Sequence, residues 1–141
     1  MKTPWHLWVV GIAALLWNAG GAYDYWMTRT GNEAYLSNLT EDTQAMIAGA
    51  PLWFDIAWAL GVWGAVAGSV LLLLRSRWAA PAYAVSILGL LVSAVWSYGI
   101  ADPSSLQLMG SFALVFSALI LVVLLLLWAY ARRMRQAGVL G

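Results

Sequence analysis

Long apolar stretches alternate with short polar ones along this sequence. Four of them carry at most one acidic or basic residue each and have the roughly 20 residues that a helix needs to cross the hydrocarbon core of a bilayer. They cover residues 5–26, 52–74, 78–100 and 108–131. Runs such as LILVVLLLL at 119–127 are apolar on every face, whereas the strands of a membrane barrel alternate. The pattern therefore predicts an all-α, polytopic membrane protein with four transmembrane helices.

The connections between the predicted helices indicate how they are arranged. RSR at 75–77 and ADPSSLQ after the third helix are so short that the helices they join must be antiparallel neighbours. The longer first loop, residues 28–50, contains two predicted short helices, one capped by Asn32 and one by Thr40. We expect a single transmembrane domain over residues 1–141, an up-down four-helix bundle with an ordered outer cover.

Composition supports a membrane protein and excludes several kinds of chemistry. Hydrophobic residues make up 63% of the 141 and charged residues 9%, compared with about 25% charged residues in soluble domains. Without cysteine, and with His6 as the one histidine, the sequence lacks the ligands of iron–sulfur, bis-histidine haem and ordinary zinc sites. The net charge of +1 and the lack of nucleotide-binding or hydrolase motifs argue against a nucleic-acid partner and a cofactor. We expect the lipid bilayer as the surrounding partner and no metal.

The basic residues indicate an orientation. Apart from Arg29, they fall at span ends that share one side: Lys2, Arg75, Arg77, Arg132, Arg133 and Arg135. Arg29 lies on the opposite side, where the loops also carry Glu33, Glu41, Asp42 and Asp102. By the positive-inside rule the basic side is cytoplasmic. We therefore expect a multi-pass protein of the bacterial inner membrane with both termini in the cytoplasm.

The N-terminal segment allows a second interpretation. Lys2, the apolar residues 7–17 and the small residues 19–22 fit the pattern of a signal peptide, whose removal would leave three spans. Apolar and aromatic character continues through Trp26, and the shortened chain would fit the basic clusters no better. Four spans are the preferred interpretation.

Glycines form one face of the predicted second helix. Gly61, Gly64 and Gly68 lie within about 60° of one another on a helix of 3.6 residues per turn, so another backbone can approach closely. The partner is either the first helix, through Gly20 and Gly21, or a second copy of the chain. The sequence does not choose between them, and a homo-oligomer stays open.

Two aspartates and one arginine suggest a site near the outer surface. Asp24 and Asp55 lie about 3 Å inside Trp26 and Trp53 of the outer aromatic belt, at a rise of 1.5 Å per residue. The helix dipole favours Asp55 in a first turn and disfavours Asp24 in a last turn. We therefore predict an ion pair of Arg29 with Asp24 or Asp55, which is either a binding element or a solvated interfacial pair.

Asn18 and several aromatic residues extend this candidate site. Asn18 lies about 12 Å below the belt, where a side-chain amide must find partners across a helix interface. Tyr25 shares its face, and Trp58 with Trp96 and Tyr98 of the third helix would complete an aromatic pocket open to the outside. Aromatic stripes of this kind are also typical of helix packing.

Two segments carry a resemblance to a known group of proteins. They are PWHLWVVGIAALLWNAGGAYDYWMTRTGNEAYL at 4–36, with PWHLWVVG, GAYDY and TRTGNEAYL as its specific parts, and AWALGVWGAVAGSVLLLLRSRWAAPA at 57–82. Over nearly its whole length the chain resembles an uncharacterised family of small four-helix proteobacterial inner-membrane proteins, often labelled "sugar transporter". That label implies that a polar substrate meets positions within these segments: Asn18, Asp24, Tyr25, Arg29, Asn32 and Glu33.

Two functions from different classes follow from these observations. The first is a small integral membrane protein, not an enzyme, that binds or transports a small solute through a polar-aromatic site in its outer half. The second is a structural or accessory subunit that docks on a larger membrane complex through the glycine face of the second helix. A membrane enzyme ranks behind both, because the two aspartates lack a nucleophile, a metal set and a cofactor motif.

Overall fold

The computed structural model describes residues 3–101, 107 and 110–141. Its helices are α1 (Trp5–Arg29), α2 (Glu33–Leu36), α3 (Glu41–Ala48), α4 (Leu52–Leu73), α5 (Ala79–Ala94) and α6 (Ser111–Gln136). The end of α5 continues as a π-helical segment, Val95–Ile100. The described residues contain no strand, so the predicted all-α fold is confirmed. Lys2, Asp102 and the predicted start of the fourth helix at 108 lie outside the described residues.

The loop after α1 forms a cover of two short helices, α2 and α3, over one end of the bundle. Asn32 precedes α2, and its side-chain oxygen accepts a hydrogen bond from the Tyr35 backbone N–H. Thr40 does the same for the Thr43 N–H of α3. These are the two caps that the sequence predicted, because capping depends on residues only three positions apart. We call this end of the molecule the cover end.

Three helices are long and apolar enough to cross a membrane by length and composition: α4, α5 with its π-helical extension, and α6. The chain therefore has the helices of a membrane-spanning protein. The first helix, α1, falls outside this set, because Asn18, Asp24 and its small and aromatic residues lower its hydropathy. The fourth span stays a prediction.

Large apolar side chains cover much of the surface. Leu16, Leu74 and Leu126 are 71%, 69% and 65% exposed, and they belong to three different long helices or their ends. In water, contiguous apolar surface of this kind drives association, whereas lipid chains solvate it without penalty. The exposed surface thus agrees with the hydropathy of the helices.

Antiparallel packing joins the long helices in the order α1, α4, α5, α6. Asn18 of α1 contacts Ser69 in the last third of α4, and Arg29 contacts Asp55 near the start of α4. α5 packs along α4, and Tyr98 of the π-helical segment reaches α6. The small number of residues between α4 and α5, and between α5 and α6, favours this arrangement, since a short connection places the next helix beside the last.

The glycine groove of α4 is filled by α5. A Cβ atom added at Gly64 would lie 3.2 Å from atoms of Ser86, and one at Gly68 would lie 2.9 Å from the Tyr83 ring. The Ser86 hydroxyl also donates a 2.5 Å hydrogen bond to the backbone carbonyl of Gly61. Close approach of α5 therefore favours glycine at both positions, through the Ser86 backbone and Cβ at Gly64 and through the Tyr83 ring at Gly68.

Neither the first helix nor a second copy has room in this groove. Gly20 and Gly21 of α1 are exposed, and a Cβ on either would meet no atom within 4 Å. The expected partner of the groove is thus corrected to α5. The physical reason is chain connection, because the turn after α4 holds α5 close enough to occupy the groove before any other helix.

The most closely packed part of the core lies in the half of the bundle away from the cover. Leu7, Leu72, Tyr83 and Ala131 come from α1, α4, α5 and α6, and all four are fully buried. Near the cover, the charged side chains of Arg29 and Asp55 stay partly accessible.

Candidate functional site

The ion pair between Arg29 and Asp55 is the main polar contact at the cover end. Arg29 Nη1 lies 2.9 Å from Asp55 Oδ1, and the two side chains are 26% and 24% exposed. This confirms the predicted ion pair of Arg29 and identifies Asp55 as its partner. Antiparallel packing brings the last turn of α1 to the first turn of α4, where each charge lies at the helix end that its sign favours.

The Arg29 guanidinium has more donors than acceptors around it. Its Nη2 lies 3.5 Å from the Ile47 carbonyl oxygen, at the long limit of a hydrogen bond. Its Nε is buried and has no hydrogen-bond partner among the described residues. Asp55 Oδ1 also lacks a well-aligned hydrogen bond, so the contact with Nη1 is an ion pair by distance only. The pair therefore has unused hydrogen-bonding capacity.

An aromatic wall stands beside the ion pair. The Arg29 Cζ atom lies 5.6 Å from the centre of the Trp58 ring, within the range of a cation–π contact. Tyr25 meets Trp58 edge-on, with ring centres 4.9 Å apart, and the centre of the Phe54 ring lies 5.9 Å from that of Trp58. The structure thus brings together four residues that the sequence proposed for the site: Tyr25, Arg29, Asp55 and Trp58.

A cleft of about 450 Å³ opens beside Arg29, between the end of α1 and the cover. Thr28 and Arg29 line it from α1, and Leu36, Gln44 and Ile47 line it from α2 and α3. The Gln44 side-chain amide donates to the backbone carbonyl of Leu36 at 2.8 Å, which ties the two cover helices together. A volume of this size is in the range of small-molecule sites. We call it the cover cleft.

Asp24 pairs with the cover instead of with Arg29. Its carboxylate accepts a hydrogen bond from the Tyr35 hydroxyl, and the Tyr35 ring stands edge-on to Tyr23 with centres 5.9 Å apart. Burial, followed by the hydrogen bond and the negative charge of Asp24, raises the pKa of Tyr35 to about 12. A hydroxyl thus compensates the carboxylate at the unfavourable end of the α1 dipole.

Asn18 lies in a separate, buried network. Its Nδ2 donates to Ser69 Oγ at 3.0 Å and to the Ala65 carbonyl at 3.3 Å. Ser69 Oγ in turn lies 2.9 Å from the hydroxyl of Tyr83. The prediction that the Asn18 amide finds partners across a helix interface is confirmed. The network joins α1, α4 and α5, and it has no connection to the cover cleft.

Tyr98 is not part of the aromatic wall. Its hydroxyl donates to the Ala113 carbonyl at 2.8 Å and lies 2.7 Å from Ser117 Oγ, both in α6. Trp96, in contrast, joins the aromatic wall as predicted. It is buried against Phe54, with ring centres 4.5 Å apart. The π-helical segment adds about one residue per turn, so side chains here leave the faces that an α-helix would give them.

Tyr35 and Gln44 were missed by the sequence interpretation of the site. Both belong to the cover, and the signal that points to them is the pair of caps at Asn32 and Thr40. Tyr35 lies in the short helix that Asn32 caps, and Gln44 lies in the short helix that Thr40 caps. Their partners lie elsewhere in the chain, and no local pattern indicates them.

Comparisons of this chain with protein-family models, curated proteins and solved structures find no match. The family resemblance drawn from the sequence therefore stays a prediction. Within the part of the chain that the structure describes, no group of three or more His, Cys, Asp or Glu side chains is placed to hold a metal ion. The chemistry present at the cover end is hydrogen bonding, charge and aromatic stacking.

Proposed function

We propose that this is an integral protein of the bacterial inner membrane whose four long helices all span the bilayer, with both termini in the cytoplasm. In this arrangement the cover end faces outward, and the cover cleft binds a small polar solute. Arg29 is the principal contact. Asp55 and Trp58 hold the guanidinium in place.

The length and surface of α1 support a fourth span. Its 25 residues correspond to about 37 Å at 1.5 Å per residue, more than the hydrocarbon thickness of about 30 Å. Val9, Ile12 and Leu16 form an exposed apolar stripe at helical spacing, with 53% to 71% of each side chain exposed. Asn18, the polar residue deepest in the helix, is buried in hydrogen bonds to α4. Lipid around α1 would solvate this stripe.

The incomplete hydrogen bonding of Arg29 is the observation that carries the solute proposal. A partly exposed guanidinium with five donors borders an open cleft, and its contact with Ile47 is long enough to be displaced. A solute group with an acceptor oxygen, such as a carboxylate, a phosphate or a hydroxyl, would complete this hydrogen bonding. The Trp58 ring lies beside the guanidinium and adds a cation–π contact.

A binding experiment on the purified protein tests this assignment. The protein in mild detergent is titrated with succinate, inorganic phosphate and glucose, and the thermal unfolding midpoint is followed by circular dichroism. A ligand at 100 times its Kd stabilises the folded state by about 2.7 kcal/mol. We expect at least one of the three probes to raise the midpoint of the natural protein.

The variants Arg29→Gln and Glu41→Gln distinguish site binding from a general effect. Glu41 is an exposed residue in the first turn of α3, outside the lining of the cover cleft. The Arg29 variant should lose the stabilisation, and the Glu41 variant should keep it. If no probe stabilises the natural protein, or if Arg29→Gln responds as the natural protein does, the proposed site is wrong.

The alternative function, an accessory subunit, was based on docking through the glycine face of α4. The glycine face of α4 is covered by α5 and is not open to a partner protein. No other observation favours docking on a larger complex.

A further inference from the structure

A cluster of arginines lies at the end of the bundle opposite the cover. Its members are all exposed: Arg75, Arg77, Arg132, Arg133 and Arg135. The acidic side chains that the structure describes all lie at the cover end, so none of them neutralises the cluster. We call this group of five side chains the basic cluster.

The C-terminal tail joins the two parts of the basic cluster. The Gly141 N–H donates to the Arg75 carbonyl at 2.9 Å, and the Arg77 N–H donates to the Gly141 carbonyl at 3.1 Å. Leu140 is buried in the core, and the chain before it folds back on Met134 of α6. The turn after α4 and the last turn of α6 are therefore held at one end of the bundle.

Tryptophan side chains place two of these arginines at the depth of lipid headgroups. Arg77 Cζ lies 5.3 Å from the centre of the Trp78 ring, and Arg132 Cζ lies 4.9 Å from that of Trp128. Tryptophan prefers the boundary between hydrocarbon and headgroups, so a guanidinium stacked on it lies where phosphates are found. Arg75 donates to the Thr3 hydroxyl at 2.8 Å and is also kept along this end.

We propose that the basic cluster binds the headgroup of an anionic phospholipid, between the turn after α4 and the last turn of α6. A guanidinium donates two parallel hydrogen bonds to one phosphate, and several of them around one headgroup relieve their mutual repulsion. The proposal requires the bundle to lie in a bilayer. It is independent of the solute site, which is at the other end of the molecule.

Native mass spectrometry with defined lipids tests this proposal. The protein is reconstituted in phosphatidylcholine alone or mixed with phosphatidylglycerol, and the lipids retained after mild detergent extraction are counted. The natural protein should retain phosphatidylglycerol selectively. The double variant Arg132→Gln/Arg133→Gln should bind it about tenfold or more weakly, since each basic residue near an anionic surface contributes to the attraction.

Two further variants make the result decisive. Arg132→Lys/Arg133→Lys keeps the charge and should restore most of the binding, whereas Gln136→Ala changes the neighbouring exposed residue and should have no effect. Arg75→Gln/Arg77→Gln repeats the test on the other part of the cluster in case the first pair unfolds. Equal retention of the two lipids, or binding unchanged in both Gln variants, would overturn the proposal. So would equal thermal stabilisation by inorganic phosphate at the same concentration, which would indicate a phosphate site.

Discussion

Replacing Ser69 by alanine should destabilise the protein more than its single hydroxyl suggests. Ser69 is fully buried and lies between Asn18 of α1 and Tyr83 of α5. Its loss leaves the Asn18 amide with the 3.3 Å contact to Ala65 alone. It also leaves the Tyr83 hydroxyl without its hydrogen bond in a residue that has no exposed surface.

The magnitude follows from the two interhelical hydrogen bonds that are removed. Such bonds contribute about 0.6 kcal/mol on average and up to about 1.7 kcal/mol in membrane proteins, and a buried unsatisfied group costs about 1–3 kcal/mol. The bond from Ser69 to the Ala65 carbonyl lies within one helix and adds little. We expect the free energy of unfolding to fall by about 2 kcal/mol.

Equilibrium unfolding in mixed micelles of mild detergent and dodecyl sulfate measures this change. Ser93→Ala is the matched control, because the Ser93 hydroxyl donates only to the Leu90 carbonyl of its own helix. It should shift the unfolding free energy by less than about 0.5 kcal/mol. Tyr83→Phe removes the hydroxyl that Ser69→Ala leaves unpaired, so the double variant should cost less than the sum of the single ones. Equal effects of the two serine variants, or strict additivity in the cycle, would refute the role of the network.

Three further predictions concern packing, the cover and topology. Gly89→Ala should lower stability by about 2 kcal/mol, because its Cβ would lie 2.6 Å from backbone atoms of α4. Gly20→Ala, with open space around its Cβ, should not lower stability in the same assay. The stabilising contribution of neutral Tyr35 is present below its ordinary pKa of 10.0 and is lost as the pH rises towards about 12. The tyrosinate absorbance of Tyr35→Phe should therefore lack one component that titrates near pH 12 in the natural protein. Because the chain has no cysteine, Glu41→Cys should react with an impermeant maleimide in intact spheroplasts, and Gln136→Cys only after lysis. The reverse labelling pattern would contradict the proposed orientation.

Local sequence was sufficient for the elements and for the kinds of contact that some residues make. Helix lengths follow from apolar runs, and the caps at Asn32 and Thr40 follow from residues three positions apart. The need of Asn18 for an interhelical partner follows from its depth in an apolar helix. The pairing of Arg29 with a carboxylate follows because Arg29 is the one basic residue that the sequence pattern assigns to that side, near the level of two aspartates. These are properties of composition and distance along one helix.

Only the tertiary structure decided which residues meet across helices. The glycine groove of α4 receives α5, Asp24 pairs with Tyr35, and Tyr98 turns to α6. The reason is that helices apolar on nearly every face carry no periodic signal of which side is buried. Their rotation about their own axes is set by close packing at glycine and by the π-helical turn. The candidate site depends on this rotation, because a polar side chain joins the site only when its face of the helix is turned towards the other site residues.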